Sequence, residues 1–284
     1  MDLARYPQSQ GLTRRAWASW AISLQLCAAG FSLPPAAAAA QALAPALHEL
    51  RPAPTLLDRA DALIAEGEGA EALTRLEEYL IAIPHDAEAR WRAAKAAVLV
   101  GLLSPILIEA RPWYRKGIAH ADTVLEAVPD HPDALRWSMV AKGRLALWTG
   151  ARETASLAQD VWDLSHQILA KDEQDAQAHH ALGVLHHKVS KLGRVQLFLG
   201  RLFLGGDALS KAKWEDALHH LKRAADLEPE NKMFRLFYAR ALADRGRTEE
   251  GLAEARSSLA LPVTDPLDAR HHHLLEQFVN ETQG

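Results

Sequence analysis

The sequence predicts an all-α chain, a right-handed solenoid of about five helical hairpins with insertions, closed by a C-terminal capping helix. Three observations carry that expectation. First, Leu and Ala dominate the 284 residues while aromatic residues make up only 6%, a mix suited to helices in close contact and poor in the residues that sheets use. Second, helical stretches are broken at intervals by Pro and Asp or Asn. Third, small residues ending on a proline recur at one spacing.

The breaks fall at Ile83-Pro84-His85-Asp86, Val128 to Asp133, Lys171 to Asp175, Leu227 to Asn231 and Leu261 to Asp265. Each stops a helix and then offers an Asp or Asn suited to cap the next. Ala217, Leu221, Ala224 and Pro229 are spaced 4, 3 and 5 apart. That is the spacing of the second helix in a tetratricopeptide (TPR) hairpin. Ala72, Leu76 and Pro84 repeat it, as do Gly117, Ala121, Val124 and Pro129. Leu182-Gly183 stands where a TPR first helix carries its small contact residue. Phe234, Phe237, Tyr238, Ala241 and Leu242 form the apolar stripe of another helix. One hairpin of this size cannot bury its apolar face alone, so the units must stack. The period exceeds the about 34 residues of a plain TPR, because 47 residues separate Asp86 from Asp133 and 56 separate Asp175 from Asn231. The three middle units therefore carry insertions, the longest within residues 189–213.

The expected division is a signal over 1–40, a linker over 41–55, the solenoid over 56–262, and a capping helix and tail over 263–284. Arg14 and Arg15 precede an uncharged run from Ala16 to Leu33, then Pro34-Pro35 and Ala36 to Ala40. Basic, apolar, helix-breaking and small-residue segments in that order describe a secretory signal cut after Ala40. The competing reading is an uncleaved anchor, since about 20 apolar residues span a bilayer. The expected location is thus the periplasm or the secreted fraction, with membrane anchoring by the N-terminus as the alternative. The only cysteine, Cys27, lies in this segment, so the mature chain would hold no disulfide framework and no thiol nucleophile.

Several stretches resemble regulator of microtubule dynamics (RMD) proteins. They are Trp91-Arg92-Ala93-Ala94-Lys95-Ala96, Tyr114-Arg115-Lys116-Gly117 through Ala121, and Pro129 to Trp137 with Gly143. His180-Ala181-Leu182-Gly183, the apolar insertion, and Trp214-Glu215-Asp216-Ala217-Leu218 through Pro229 continue the likeness, over about residues 56–260. The chain departs from that family just after the Ala-Leu-Gly, where Leu185, His187 and Lys188 replace an aromatic and an acidic residue. The resemblance implies a TPR-like helical fold. It also implies the family's association with microtubules and organelle contacts, which an exported chain would not share.

The function expected is non-catalytic scaffolding by an exported protein that binds a protein segment in its concave groove. The alternative is a membrane-anchored or membrane-apposed RMD-like protein with a cytoskeletal or organelle-contact role. No Gly-x-Ser-x-Gly, phosphate-binding glycine loop or His-Glu-x-x-His occurs, so no enzyme, cofactor or metal site is expected. The 14 histidines, with His179 and His186 seven apart, could share a helical face toward a metal, but ordinary polar helix positions account for them. A net charge of −4 gives no global field toward nucleic acid. Trp91, Arg92, Trp137 and His179 are the expected partner-binding residues, because Trp and Arg dominate interface hot spots and first helices line the groove. From Lys188 to Arg223 eight basic residues face three acidic ones on a chain otherwise acidic. Arg194, Phe198, Arg201 and Phe203 in that insertion are the candidate membrane or partner contacts. Packing within an elongated hairpin is the simpler account of them.

Overall fold

The computed structural model describes residues 55–192 and 210–283; the expected signal, nearly all of the expected linker and residues 193–209 of the insertion lie outside them. Among the described residues the chain forms eleven α-helices, two short 3₁₀ turns and no strand. Ten helices make five hairpins: α1 (Leu56–Ala65) with α2 (Gly69–Ala82), α3 (Ala87–Leu103) with α4 (Arg111–Ala127), and α5 (Pro132–Leu145) with α6 (Ala151–Leu169). Then come α7 (Ala176–Ser190) with α8 (Trp214–Leu227), and α9 (Lys232–Asp244) with α10 (Thr248–Leu259). The last helix, α11 (Pro266–Gln283), follows them. This is the all-α, TPR-like solenoid expected from the sequence.

Local chemistry sets where each hairpin begins. Every first helix has a side-chain N-cap, and no second helix has one. Thr55 and Asp58 form a capping box on α1. Asp86 accepts from Ala89 N at 3.0 Å, Asp175 from Ala178 N at 2.8 Å, and Asn231 from Met233 N at 3.1 Å. Asp265 caps α11 through Asp268 N at 2.9 Å. The break over 128–133 differs from expectation. His131, not Asp133, caps α5, its Nδ1 accepting from Ala134 N at 3.3 Å. Pro132 favours the first helical position, which puts the cap one residue before it and Asp133 inside the first turn.

Each first helix packs on its own second helix and on the next first helix: α1 on α2 and α3, α3 on α4 and α5, α5 on α6 and α7. The core is accordingly a chain of local clusters. Ile64, Leu73 and Leu76 serve the first hairpin; Leu135, Met139, Val161, Ile168 and Leu182 serve the middle; Leu236, Leu252, Leu275 and Phe278 serve the end. Gly183 shows why a small residue is needed in α7. A Cβ there would stand 2.6 Å from Leu221 Cγ on α8, so any larger residue pushes the two helices apart.

The final helix divides its work. Its later half buries Leu275 and Phe278 against α9 and α10, capping the end of the stack. Its first turns reach back across the first helices toward the N-terminal hairpins. The Arg270 guanidinium donates to the carbonyls of Leu102 and, at 3.1 Å, Ser104, and Pro266 packs on Gly67 in the α1–α2 turn. No helix among the described residues is long and apolar enough to cross a membrane.

Candidate functional site: the concave groove

The groove is assembled from one face of α3, α5, α7 and α9. On α3 that face carries Lys95, Leu99 and Leu102; on α5 it carries Trp137, Val140 and Arg144. On α7 it carries Gln177, Val184 and Lys188, and on α9 Phe237 and Arg240. The intervals of three and four are those that keep side chains on one helical face. Three cavities run into one another along it, of about 230, 290 and 270 Å³. Shared walls join them: Leu102, Trp137 and Leu267 stand between the first two, and Val140, Arg144 and Gln177 between the last two.

One end of the groove holds the chain's own segment. Residues Asp265 to Asp268 and His271 sit beside Leu102, Trp137, Arg144 and Met233. Lys232 anchors them. Its side chain is 1% exposed, and its Nζ donates to Asp268 Oδ2 at 2.7 Å and to the Pro262 carbonyl at 2.6 Å. A buried ammonium needs such full pairing to offset its desolvation. His271 is pushed down to about 4, by burial first and then by the neighbouring Arg144, so it is neutral near pH 7.

The other end is open and differently charged. Arg144, Lys188 and Arg240 line it with Val140, Val184 and Phe237, and among the described residues no Asp or Glu is in its walls. Among the described residues the polar partner of Arg144 is the sulfur of Met233, at 3.0 Å. Burial pushes both guanidiniums below the usual arginine range. Asp244 and Glu281 are the carboxylates that act on Arg240. Asp244, however, is bonded to His187 Nε2 and Lys191 Nζ, each at 2.7 Å. His180 closes the floor, 5% exposed, packed between Phe234 and Phe237 at ring distances of 4.8 and 5.0 Å. Burial, with Arg144 and His271 nearby, pushes it down to about 3, and its Nδ1 has no hydrogen-bond partner among the described residues.

The residues expected from sequence separate under this geometry. Trp137 is a groove wall, with Lys95 Nζ 5.8 Å above its ring. Trp91 shares the α3 face by its spacing to Lys95, but its Nε1 donates to Glu88 at 2.9 Å. Arg92 is a structural clamp. It pairs with Asp61 of α1 at 2.8 Å and Glu88 at 2.7 Å, and stacks 4.2 Å over Trp91. His179 does not reach the groove. It is 8% exposed between α7 and α8, its Nε2 donating to the Glu173 carbonyl at 3.0 Å and its Nδ1 bonded to His220 Nδ1 at 2.8 Å. In a neutral His179 the second nitrogen accepts, so His220 carries the proton of that bond. Burial, then His179 and His186, push His220 down to about 4. Arg194, Phe198, Arg201 and Phe203 lie outside the described residues. Among those described, no group of three or more His, Cys, Asp or Glu is placed to hold a metal ion. Sequence reasoning missed Arg144, Lys188, Arg240 and Lys232. A recurring cation on successive first helices was the available signal.

A helical-hairpin stack with side-chain-capped first helices and a concave face made by those helices defines a TPR-like solenoid. The comparisons with known proteins place it further. The family model described as regulator of microtubule dynamics protein 1-3 matches residues 56–283, and the chain belongs to that family. Among solved structures, TTC0263, a thermophilic TPR protein from Thermus thermophilus, is similar at a TM-score of 0.54 and 21% identity. The match covers 78% of this chain and 97% of that one. MamA RS-1 follows at 0.42 and 15%, over 80% and 93% of the two chains, and human IFIT1 at 0.46 and 14%, over 77% and 52%. The first of these shows the fold and no more. No curated protein matches the sequence.

Proposed function

We propose that this protein is a non-catalytic interaction scaffold, acting outside the cytoplasm, that holds a segment of a partner protein in the concave groove. TPR-like folds in general bind proteins, and both the fold and the family point away from an enzyme. The observation that carries the reading is the occupied end of the groove. The cap and first turns of α11, Asp265 to His271, already lie beside Leu102, Trp137 and Arg144. Apolar walls and polar anchors that already hold one stretch of chain support the reading that a partner segment binds there. Export rests on the basic, apolar and small-residue order of residues 14–40.

Two measurements test this. A photo-cross-linking residue at Val184 in the native host should give a discrete protein adduct that is absent when it is placed at Asp163, exposed on the second helix α6. Equal adducts at both positions, or none at Val184, would remove the groove from the account. Fractionation with N-terminal sequencing should find a soluble exported chain starting near Gln41. A full-length chain in the membrane fraction would replace that with the anchored, RMD-like alternative.

A further inference from the structure

We propose that the open end of the groove, walled by Arg144, Lys188 and Arg240, is an anion-recognising subsite that takes an acidic, partly apolar peptide segment. The proposal rests on the peptide-scaffold reading above and names the chemistry of its ligand. Three observations carry it.

The first is charge without a paired acid, Asp244 and Glu281 acting on Arg240 only from beyond ion-pair distance. Three cations from α5, α7 and α9 line one cavity of about 270 Å³ whose walls, among the described residues, include no carboxylate. None of the three makes an ion pair among the described residues. Elsewhere the chain pairs its basic groups readily: Arg136 with Asp175, Arg235 with Glu254 and Lys232 with Asp268. On a protein of net charge −4, three such cations on one concave wall are a local reversal of sign. Low-dielectric walls concentrate such a field.

The second is the floor. Val140, Ala181, Val184 and Phe237 supply apolar surface between the cations. A small inorganic anion would leave that surface wet, whereas an acidic peptide with an aliphatic or aromatic side chain would cover it. The buried Nδ1 of His180, without a partner among the described residues, offers one acceptor or donor in the same floor.

The third is the precedent inside the molecule. One wall of the adjoining cavity is made by Asp265, Leu267 and Asp268, an acidic and apolar stretch at the start of α11. Its Asp268 carboxylate meets Lys232, and Leu267 lies in the cavity lined by Trp137 and Leu102. A second segment of the same character, supplied by a partner, would continue along the groove onto Arg144, Lys188 and Arg240.

The test uses the whole protein and three fluorescent probes of equal length: an Asp/Glu-Leu peptide, its Asn/Gln-Leu counterpart and a Lys-Leu peptide. Anisotropy at low salt should show the acidic peptide binding at least about tenfold tighter than the amide form, with the preference shrinking as salt screens it. Lys188→Glu/Arg240→Glu should reverse the order, so that the Lys-Leu peptide binds best, while circular dichroism and melting stay unchanged. The exchanged preference is a readout that loss of folding cannot mimic. If the amide peptide binds the unaltered protein as well as the acidic one, the charge assignment fails and the groove reading survives. If no peptide binds, the groove reading itself fails. Tighter binding of a single-stranded oligonucleotide than of the acidic peptide, lost in the same variant, would overturn the peptide as the ligand.

Discussion

The two ends of the groove are built from successive first helices, yet the start of α11 walls one end and not the other. At the closed end the chain supplies its own acids and its own apolar side chain, and Lys232 disappears from solvent beneath them. At the other end Arg144, Lys188 and Arg240 make no ion pair among the described residues, and Asp244 and Glu281 act on Arg240 without pairing with it. The difference teaches that the arrangement of charge, not the backbone, separates a packed joint from a surface still able to bind. A cation that the fold pairs becomes structure. A cation that it leaves unpaired stays available, with self-repulsion and partial desolvation opposing it.

Breaking the closed end should have the largest effect. Lys232→Met leaves the Asp268 carboxylate mostly buried without its ammonium, a loss of about 3–5 kcal/mol for a broken buried pair. Denaturant unfolding reads that cost, and hydrogen exchange should show the first turns of α11 opening before the rest. An unchanged midpoint would mean that the pair contributes nothing to the joint.

Acid should loosen the fold through its buried histidines. His180, His220 and His271 have folded values depressed to about 3, about 4 and about 4. The unfolded chain binds protons on them near 6.5, whereas the folded chain does not. Stability is therefore full above about pH 6.5 and falls as pH drops, the difference in bound protons ending at about 4 for His220 and His271 and at about 3 for His180. For the buried His180 alone the slope approaches about 1.4 kcal/mol per pH unit. Stability measured at intervals from about pH 7 to about pH 4.5 checks the sign, and His180→Phe should flatten the curve.

A smaller effect is expected where α11 touches α3. Arg270→Ala removes the donors to the Leu102 and Ser104 carbonyls, worth about 1–3 kcal/mol for hydrogen bonds from a charged group and less where water can replace it. Amide exchange in residues 266–271 should rise more than global stability falls. Least of all should come from the open end. Lys188→Gln/Arg240→Gln breaks no ion pair among the described residues, so its stability should stay within about 0.5 kcal/mol of the parent. That near-zero value beside the Lys232 loss would make the contrast between the ends quantitative. A large loss would erase it.

Much of the fold was legible before any coordinates. Asp86, Asp175, Asn231 and Asp265 each cap the helix that their position after a break led us to expect. Gly183 meets Leu221 as a small contact residue should. The groove was legible only in part. Trp137 lines the groove, because its place early in a first helix puts it on that side. Arg92 and His179 are outside the groove walls, held by Asp61 and His220, which stand 31 and 41 residues away. No local pattern distinguishes a free arginine from one whose acid arrives from another helix. His131 took the cap expected of Asp133 because Pro132 outranked it for the first helical position.

Sequence alone determined the helices, their breaks and their stacking. Those depend on backbone donors, ring closure at proline and side-chain period, all settled within a few residues. Tertiary structure decided which charges are paired. Lys232 and Lys188 look alike in the chain, each a lysine on a first helix. One meets Asp268, which lies 36 residues on, and is buried; the other meets no acid among the described residues and faces the groove. Coulomb energy and desolvation depend on distance in space, and only the folded chain sets that distance.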